Sequence, residues 1–134
     1  MEHKGGSGTN TAALAFGGFI PPATRTAATE LWNGTNWTEV NDLNTGTRQL
    51  SGFGTTTATL AIGGETPGGA QAKTEEWNGA SWAEIGDLNT GRYNLGAAGT
   101  TTAGLAFGGT EAPPVTTATE EWNTTSNVVK VLTD

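Results

Sequence analysis

Cysteine is absent from the 134 residues, which excludes disulfides, thiolate nucleophiles and cysteine-based metal sites. Histidine occurs once, as His3, and reads as a solvated residue of a terminal tail. Nucleophile–base catalysis needs a base beside an activated nucleophile, and no such set is visible. Only six residues are basic, against 13 acidic, for a net charge of −7. Six scattered cations cannot make the basic stripe of a nucleic-acid binder or hold an anionic membrane surface. No apolar run reaches transmembrane length, and the polar start Met1-Glu-His-Lys-Gly-Gly has no hydrophobic region of a secretory signal. No window shows a 3.6-residue apolar period over helical length, so essentially no helix is expected. Hydrophobic residues make up 34% and charged residues 14%. That composition could suit an unstructured coil, but such chains lack aromatics, and here five tryptophans sit at patterned positions.

The pattern is an internal repeat. Gly8-Thr-Asn-Thr-Ala-Ala-Leu-Ala-Phe-Gly-Gly18 returns as Gly54-Thr-Thr-Thr-Ala-Thr-Leu-Ala-Ile-Gly-Gly64, and again as Gly99-Thr-Thr-Thr-Ala-Gly-Leu-Ala-Phe-Gly-Gly109. Glu30-Leu-Trp-Asn33, Glu75-Glu-Trp-Asn78 and Glu120-Glu-Trp-Asn123 follow at the same period, and Asp42-Leu-Asn-Thr-Gly46 recurs as Asp87-Leu-Asn-Thr-Gly91. A period of about 45 residues marks a stacked or radial array. The units run approximately 1–46, 47–91 and 92–134.

Each unit reads as four short strands. In the second unit these are Gln49 to Phe53, Thr59 to Ile62, Thr74 to Trp77 and Ser81 to Ile85; the first strand of the third unit is Tyr93 to Ala98. Asn33-Gly34 and Asn78-Gly79 join the last two strands as hairpin turns, since both residue types tolerate positive φ. The fold class is therefore all-β.

The order of landmarks resembles the kelch repeat family. A strand ends in a Gly-Gly doublet (Gly17-Gly18, Gly63-Gly64, Gly108-Gly109), and a variable loop follows. Next come a strand ending in an aromatic (Trp32, Trp77, Trp122), a tight turn, a second Trp (Trp37, Trp82), and an Arg before the next unit (Arg48, Arg92). The resemblance covers nearly the whole chain. It departs in having Trp where kelch repeats usually have Tyr, in Asn127 at the second-Trp place of the third unit, and in Glu2 at the Arg place of the first. The Trp-Asn-Gly repeats are also similar to those in tailed-phage virion proteins, which implies a virion-associated location. A kelch-like β-propeller would take each unit as one four-stranded blade. Three blades leave the ring open, whereas propellers close with about 4–8. The expectation is a homodimer forming a six-bladed ring, with a nine-bladed homotrimer as the alternative.

Three side-chain sets could carry chemistry. Glu30, Glu75 and Glu120 stand two residues before a Trp, so strand alternation puts each on its Trp's side, where Arg48 and Arg92 are candidate ion-pair partners. Asp42-x-Asn44-x-Gly46 and its repeat faintly resemble calcium loops but lack the further oxygen ligands and the terminal acid, and read as turns. The copper chemistry of kelch-containing galactose oxidases is unavailable with one Tyr (Tyr93) and no Cys. No cofactor, no metal and no enzyme activity are expected. Trp32, Trp77 and Trp122 read as core. The loops after the doublets differ between units, and loops on a rigid scaffold carry binding; Phe19, Ile20 and Arg25 are the contact-like residues there. Trp37, Trp82, Arg48 and Arg92 complete the candidate binding set. The leading reading is a non-catalytic scaffold or interaction module, its partner itself and then a glycan or another surface protein. The alternatives are a lectin-like propeller with repeated sites, and an engineered or reconstructed repeat protein with no ligand.

Overall fold

The structure is a computed structural model that describes residues 2–111, 118–123 and 128–132, with side chains described as far as Trp122. Three four-stranded antiparallel sheets follow one another along the chain. In the first, β1 (Gly5–Gly8) pairs with β2 (Ala13–Phe16). A small hairpin, β3 (Phe19–Ile20) and β4 (Thr24–Arg25), precedes β5 (Thr29–Trp32) and β6 (Trp37–Val40), giving the order β1-β2-β5-β6. The second unit repeats this with β7 (Ser51–Thr55), β8 (Ala58–Ile62), the hairpin β9 (Glu65–Thr66) and β10 (Gly69–Ala70), then β11 (Thr74–Trp77) and β12 (Trp82–Ile85). The third comprises β13 (Gly96–Thr100), β14 (Ala103–Phe107), β15 (Thr119–Asn123) and β16 (Val128–Leu132). The protein is all-β, with no helix among the described residues.

Local chemistry explains the repeated turns. Both glycines of each doublet have positive φ (67° and 119° at Gly17 and Gly18, 63° and 101° at Gly63 and Gly64), a conformation that costs other residues dearly. The turn lets the second glycine reach the next unit: Gly18 N–H donates to Thr47 C=O at 2.7 Å and Gly64 N–H to Arg92 C=O at 2.8 Å. At the Asn-Gly turns only the glycine takes positive φ. The asparagine instead caps the loop, Asn33 Oδ1 accepting from Thr35 N and Asn36 N, both at 2.8 Å. Asn78 repeats this with Ala80 N and Ser81 N. Each third-strand Trp donates its indole N–H to the turn between the unit's first two strands: Trp32 to Asn10 O, Trp77 to Thr56 O and Trp122 to Thr101 O, at 2.8–3.0 Å.

The first strands begin later than expected. Gln49 and Asn94 have φ of 56° and 55°, outside the β region, so β7 starts at Ser51 and β13 at Gly96. His3 adopts the same conformation, φ 57°. Gln49 N–H donates to His3 C=O and Asn94 N–H to Gln49 C=O, both at 2.9 Å. The three equivalent residues thus form one backbone chain across the units, and His3 is an anchored position rather than a free tail.

The core lies between the sheets, in two layers. Leu14, Phe16, Leu43, Leu50, Ala61, Trp77 and Trp82 fill the space between the first and second. Phe53, Leu60, Ile62, Leu88, Leu95, Ala106 and Trp122 fill the next. The inner strands β1, β7 and β13 lie side by side in that order. Small residues permit this approach: a Cβ on Gly52 would overlap the Phe16 ring, and one on Gly104 the Phe53 ring. Asn127 lies outside the described residues. The strand register pairs Val129 with Trp122, just as Trp37 pairs with Trp32 and Trp82 with Trp77. Val129, not Asn127, therefore holds the second-Trp place in the register.

Candidate functional site

Glu75 and Glu120 face the preceding sheet with their tryptophans, Glu30 lies on the equivalent face of the first sheet, and each is satisfied differently. Glu120 is fully buried and ion-paired with fully buried Arg92, which also donates to Ala118 O at 2.8 Å and Gly108 O at 3.2 Å. Asn89 donates to Glu120 through its backbone N–H (2.7 Å) and side-chain amide (3.2 Å). Glu75 receives the same pair of bonds from Asn44, at 2.8 and 2.9 Å, but has no ion pair among the described residues. Of the two candidate arginines, Arg92 meets one of these glutamates and Arg48 meets none. Arg48 and Arg92 are offset by one residue: Gly46 is followed by Thr47, Gly91 by Arg92. Thr47 therefore holds the arginine's place, beside a cavity of about 10 Å³ lined by Thr47, Gly63, Lys73 and Glu75. In the first unit Lys4 Nζ serves Glu30 at 2.8 Å. These acids are structural; the turn residues Asn44 and Asn89 point into the sheets rather than around a cation.

Arg48 instead joins the hairpins. Its Nε and Nη2 donate to Glu65 Oε1 and Oε2 at 3.2 and 3.1 Å. Arg25, from the neighbouring unit's hairpin, pairs with Glu65 Oε1 as well. Phe19 lies beneath both cations, its ring centre 4.8 Å from the Arg48 guanidinium carbon and 5.8 Å from that of Arg25. Exposed Ile20 flanks the group. Four of the expected binding residues thus converge on one patch, around a glutamate that was not among them. Glu65 could have been noticed because it directly follows a doublet, where the other units carry Phe19 and Thr110. The Arg48 hydrogen bonds, joined by those of Arg25, hold the Glu65 carboxyl below its ordinary range against the opposing effect of burial. The patch carries two cations and one anion in a chain of net charge −7.

The remaining three candidates separate. Arg92 is wholly buried, so it cannot meet a ligand. Trp82 is 6% exposed; its N–H donates to Thr29 Oγ1 at 3.0 Å and its ring meets Phe16 edge-on at 5.1 Å. It is an inter-sheet core residue, not a surface platform. Its counterpart Trp37 is 50% exposed, with no sheet among the described residues packed on its face. The opposite end of the stack is equally bare. Leu105 and Phe107 are 39% and 43% exposed, whereas their counterparts Leu14, Phe16, Leu60 and Ile62 are buried. A shallow depression of about 480 Å³ lies there, lined in part by Ala98, Ala103, Leu105 and Glu121.

No family model matches the chain, and no curated protein matches it. A solved structure described as "Structure of YjhT" superposes with a TM-score of 0.81 at 16% sequence identity, over 98% of this chain. That likeness is one of fold. The chain spans 45% of the length of that protein.

Proposed function

We propose that this chain is a non-catalytic interaction module, three blades of a kelch-like β-propeller that complete their ring by self-association. The observation carrying this reading is the contrast between covered and uncovered copies of one surface. Leu105 and Phe107 expose apolar area that the equivalent residues of the first two units bury under a following sheet. Apolar patches of this kind mark interaction sites. The adjacent first strands agree with a radial arrangement. A fold neighbour more than twice as long, of which three sheets match 45%, agrees with a ring of about twice as many blades. Two copies would form six blades, within the usual range. The Phe19–Arg25–Arg48–Glu65 patch, on hairpins at one edge of the scaffold, is where such a module would meet its partner.

Light scattering after size exclusion tests the reading. A species of about 27 kDa, two chains, supports a six-bladed ring, and one of about 41 kDa a nine-bladed one. A single-chain mass throughout a dilution series would overturn it. A second reading, glycan recognition, is favoured by the aromatic ring and charged hydrogen-bonding groups of the same patch. It predicts binding of a sugar on a glycan array that Phe19→Ala weakens, and a blank array would exclude it.

A further inference from the structure

The repeat relates several uncovered residues at the two ends of the stack to covered pairs within it. Within the chain, each sheet presents a forward face to the back face of the next. Phe16 in the first sheet meets Gly52 in the second. The equivalent residues one unit on are Ile62 and Ala97, which pack in one cluster. The smaller side chain thus faces the larger of the two small residues. The next pair in the series is Phe107, exposed, and Gly6, also exposed and open: a Cβ on Gly6 would meet only Leu14 O, at 3.4 Å. Phenylalanine again stands opposite glycine.

A second series agrees. Ser7 Oγ lies 2.7 Å from Thr59 Oγ1, and one unit later Phe53 lies against Gly104; the next pair is Ala98 and Ala13. A third concerns the second tryptophan. Trp82 donates to Thr29 Oγ1 and meets Phe16; its counterpart Trp37 would find Thr119 and Phe107 in the same places. The backbone chain from Asn94 through Gln49 to His3 would continue with His3 N–H donating to the Asn94 carbonyl.

Resting on the self-associating reading above, we infer that the forward face of the third sheet receives the back face of the first sheet of a second copy. In this seam Phe107 seats on Gly6, Trp37 packs on Phe107 and donates to Thr119, and Ala98 opposes Ala13. The contact is head-to-tail and occurs twice in a closed pair of chains. Trp37 is its anchor, since a large aromatic with one polar atom entering a matched pocket dominates such interfaces.

Engineered disulfides test the register, because the chain has no cysteine of its own. Side chains that meet as closely as Ser7 and Thr59 are within disulfide reach. The double variant A13C/A98C is expected to form a covalently linked pair of chains on oxidation, while A13C and A98C alone do not, since each lies in a different seam from its own copy. In parallel, Trp37→Ala is expected to raise the dissociation constant about 30-fold or more, with unchanged β-sheet circular dichroism confirming that each chain remains folded. A two-chain mass without the A13C/A98C link, and with Trp37→Ala neutral, would overturn the seam while leaving self-association standing. A one-chain mass for the wild type would overturn both.

Discussion

Phe16 and Gly52 meet across the first inter-sheet layer so closely that a single added methyl has no room. A Cβ on Gly52 would overlap the ring and lie 2.8 Å from the Leu60 carbonyl oxygen. Overpacking of such a close contact costs about 1–3 kcal/mol. Gly52→Ala is therefore expected to lower the urea midpoint of unfolding by that order. Equal stability of the variant and wild type would show that the layer can open to admit a methyl.

Thr29 and Thr74 occupy the same place in successive units with opposite consequences. Thr29 Oγ1 accepts the buried Trp82 N–H. Thr74 Oγ1 is buried with no hydrogen-bond partner among the described residues; in the third unit the strand register pairs Trp122 with Val129 rather than with a second tryptophan. Replacing Thr29 by the isosteric valine strands the indole N–H and is expected to cost about 1–3 kcal/mol. Thr74→Val removes an unsatisfied hydroxyl and is expected to be neutral or to stabilise by about 1 kcal/mol. Chemical denaturation of the two variants checks the sign of each, and a shared sign would refute the assignment.

Arg92 and Glu120 form a buried pair with two further carbonyl bonds on the arginine. Arg92→Thr, which copies Thr47, leaves the Glu120 carboxylate buried without a cation and is expected to cost about 3–5 kcal/mol. Arg92→Lys should recover part of that loss only, since an ammonium cannot reproduce the guanidinium fork. Thermal and urea midpoints of the pair of variants report this order; an Arg92→Thr protein as stable as wild type would show the pair is dispensable.

Glu65 makes the hairpin clasp sensitive to acid. Its folded-state carboxyl is held below the ordinary value of 4.5 by Arg48 and Arg25. A depressed carboxyl stabilises the fold fully above its unfolded value and loses that contribution as pH falls through the folded one. Glu65→Gln is expected to cost about 1–2 kcal/mol at pH 7 and progressively less, relative to wild type, below pH 4.5. Unfolding curves for both proteins at pH 7 and at stepwise lower pH measure the gap, and a gap independent of pH would rule out the clasp as its source.

Much of the fold was legible in the chain. The three doublets, the Asn-Gly turns and the Trp pairs announce four short strands per unit, because each feature answers a local backbone demand. β11 begins and ends where alternation and turn residues put it, at Thr74 and Trp77. The start of β7 was not legible, since the positive φ of Gln49 follows from a hydrogen bond to His3 in another unit. Of the candidate arginine partners, Arg92 meets Glu120, but a one-residue offset after Gly46 sends Arg48 to Glu65 instead, and the repeat period alone does not reveal which side chain a shifted position will reach. Phe19, Arg25 and Arg48 were recognisable as contact residues, but Glu65, which gathers the two arginines, was recognised only by its place in space.

The sequence by itself determined the repeat, the all-β class and the positions where glycine and asparagine must turn the chain, because these depend on residues near one another. Only the tertiary structure decided which copies of the repeat are covered. Leu14, Leu60 and Leu105 stand at the same place in the repeat, each followed by Ala, a large apolar residue and the Gly-Gly doublet. Yet two are buried and one is exposed. Burial belongs to the neighbour that packs on a face, and among the described residues such a neighbour follows the first two sheets and not the third.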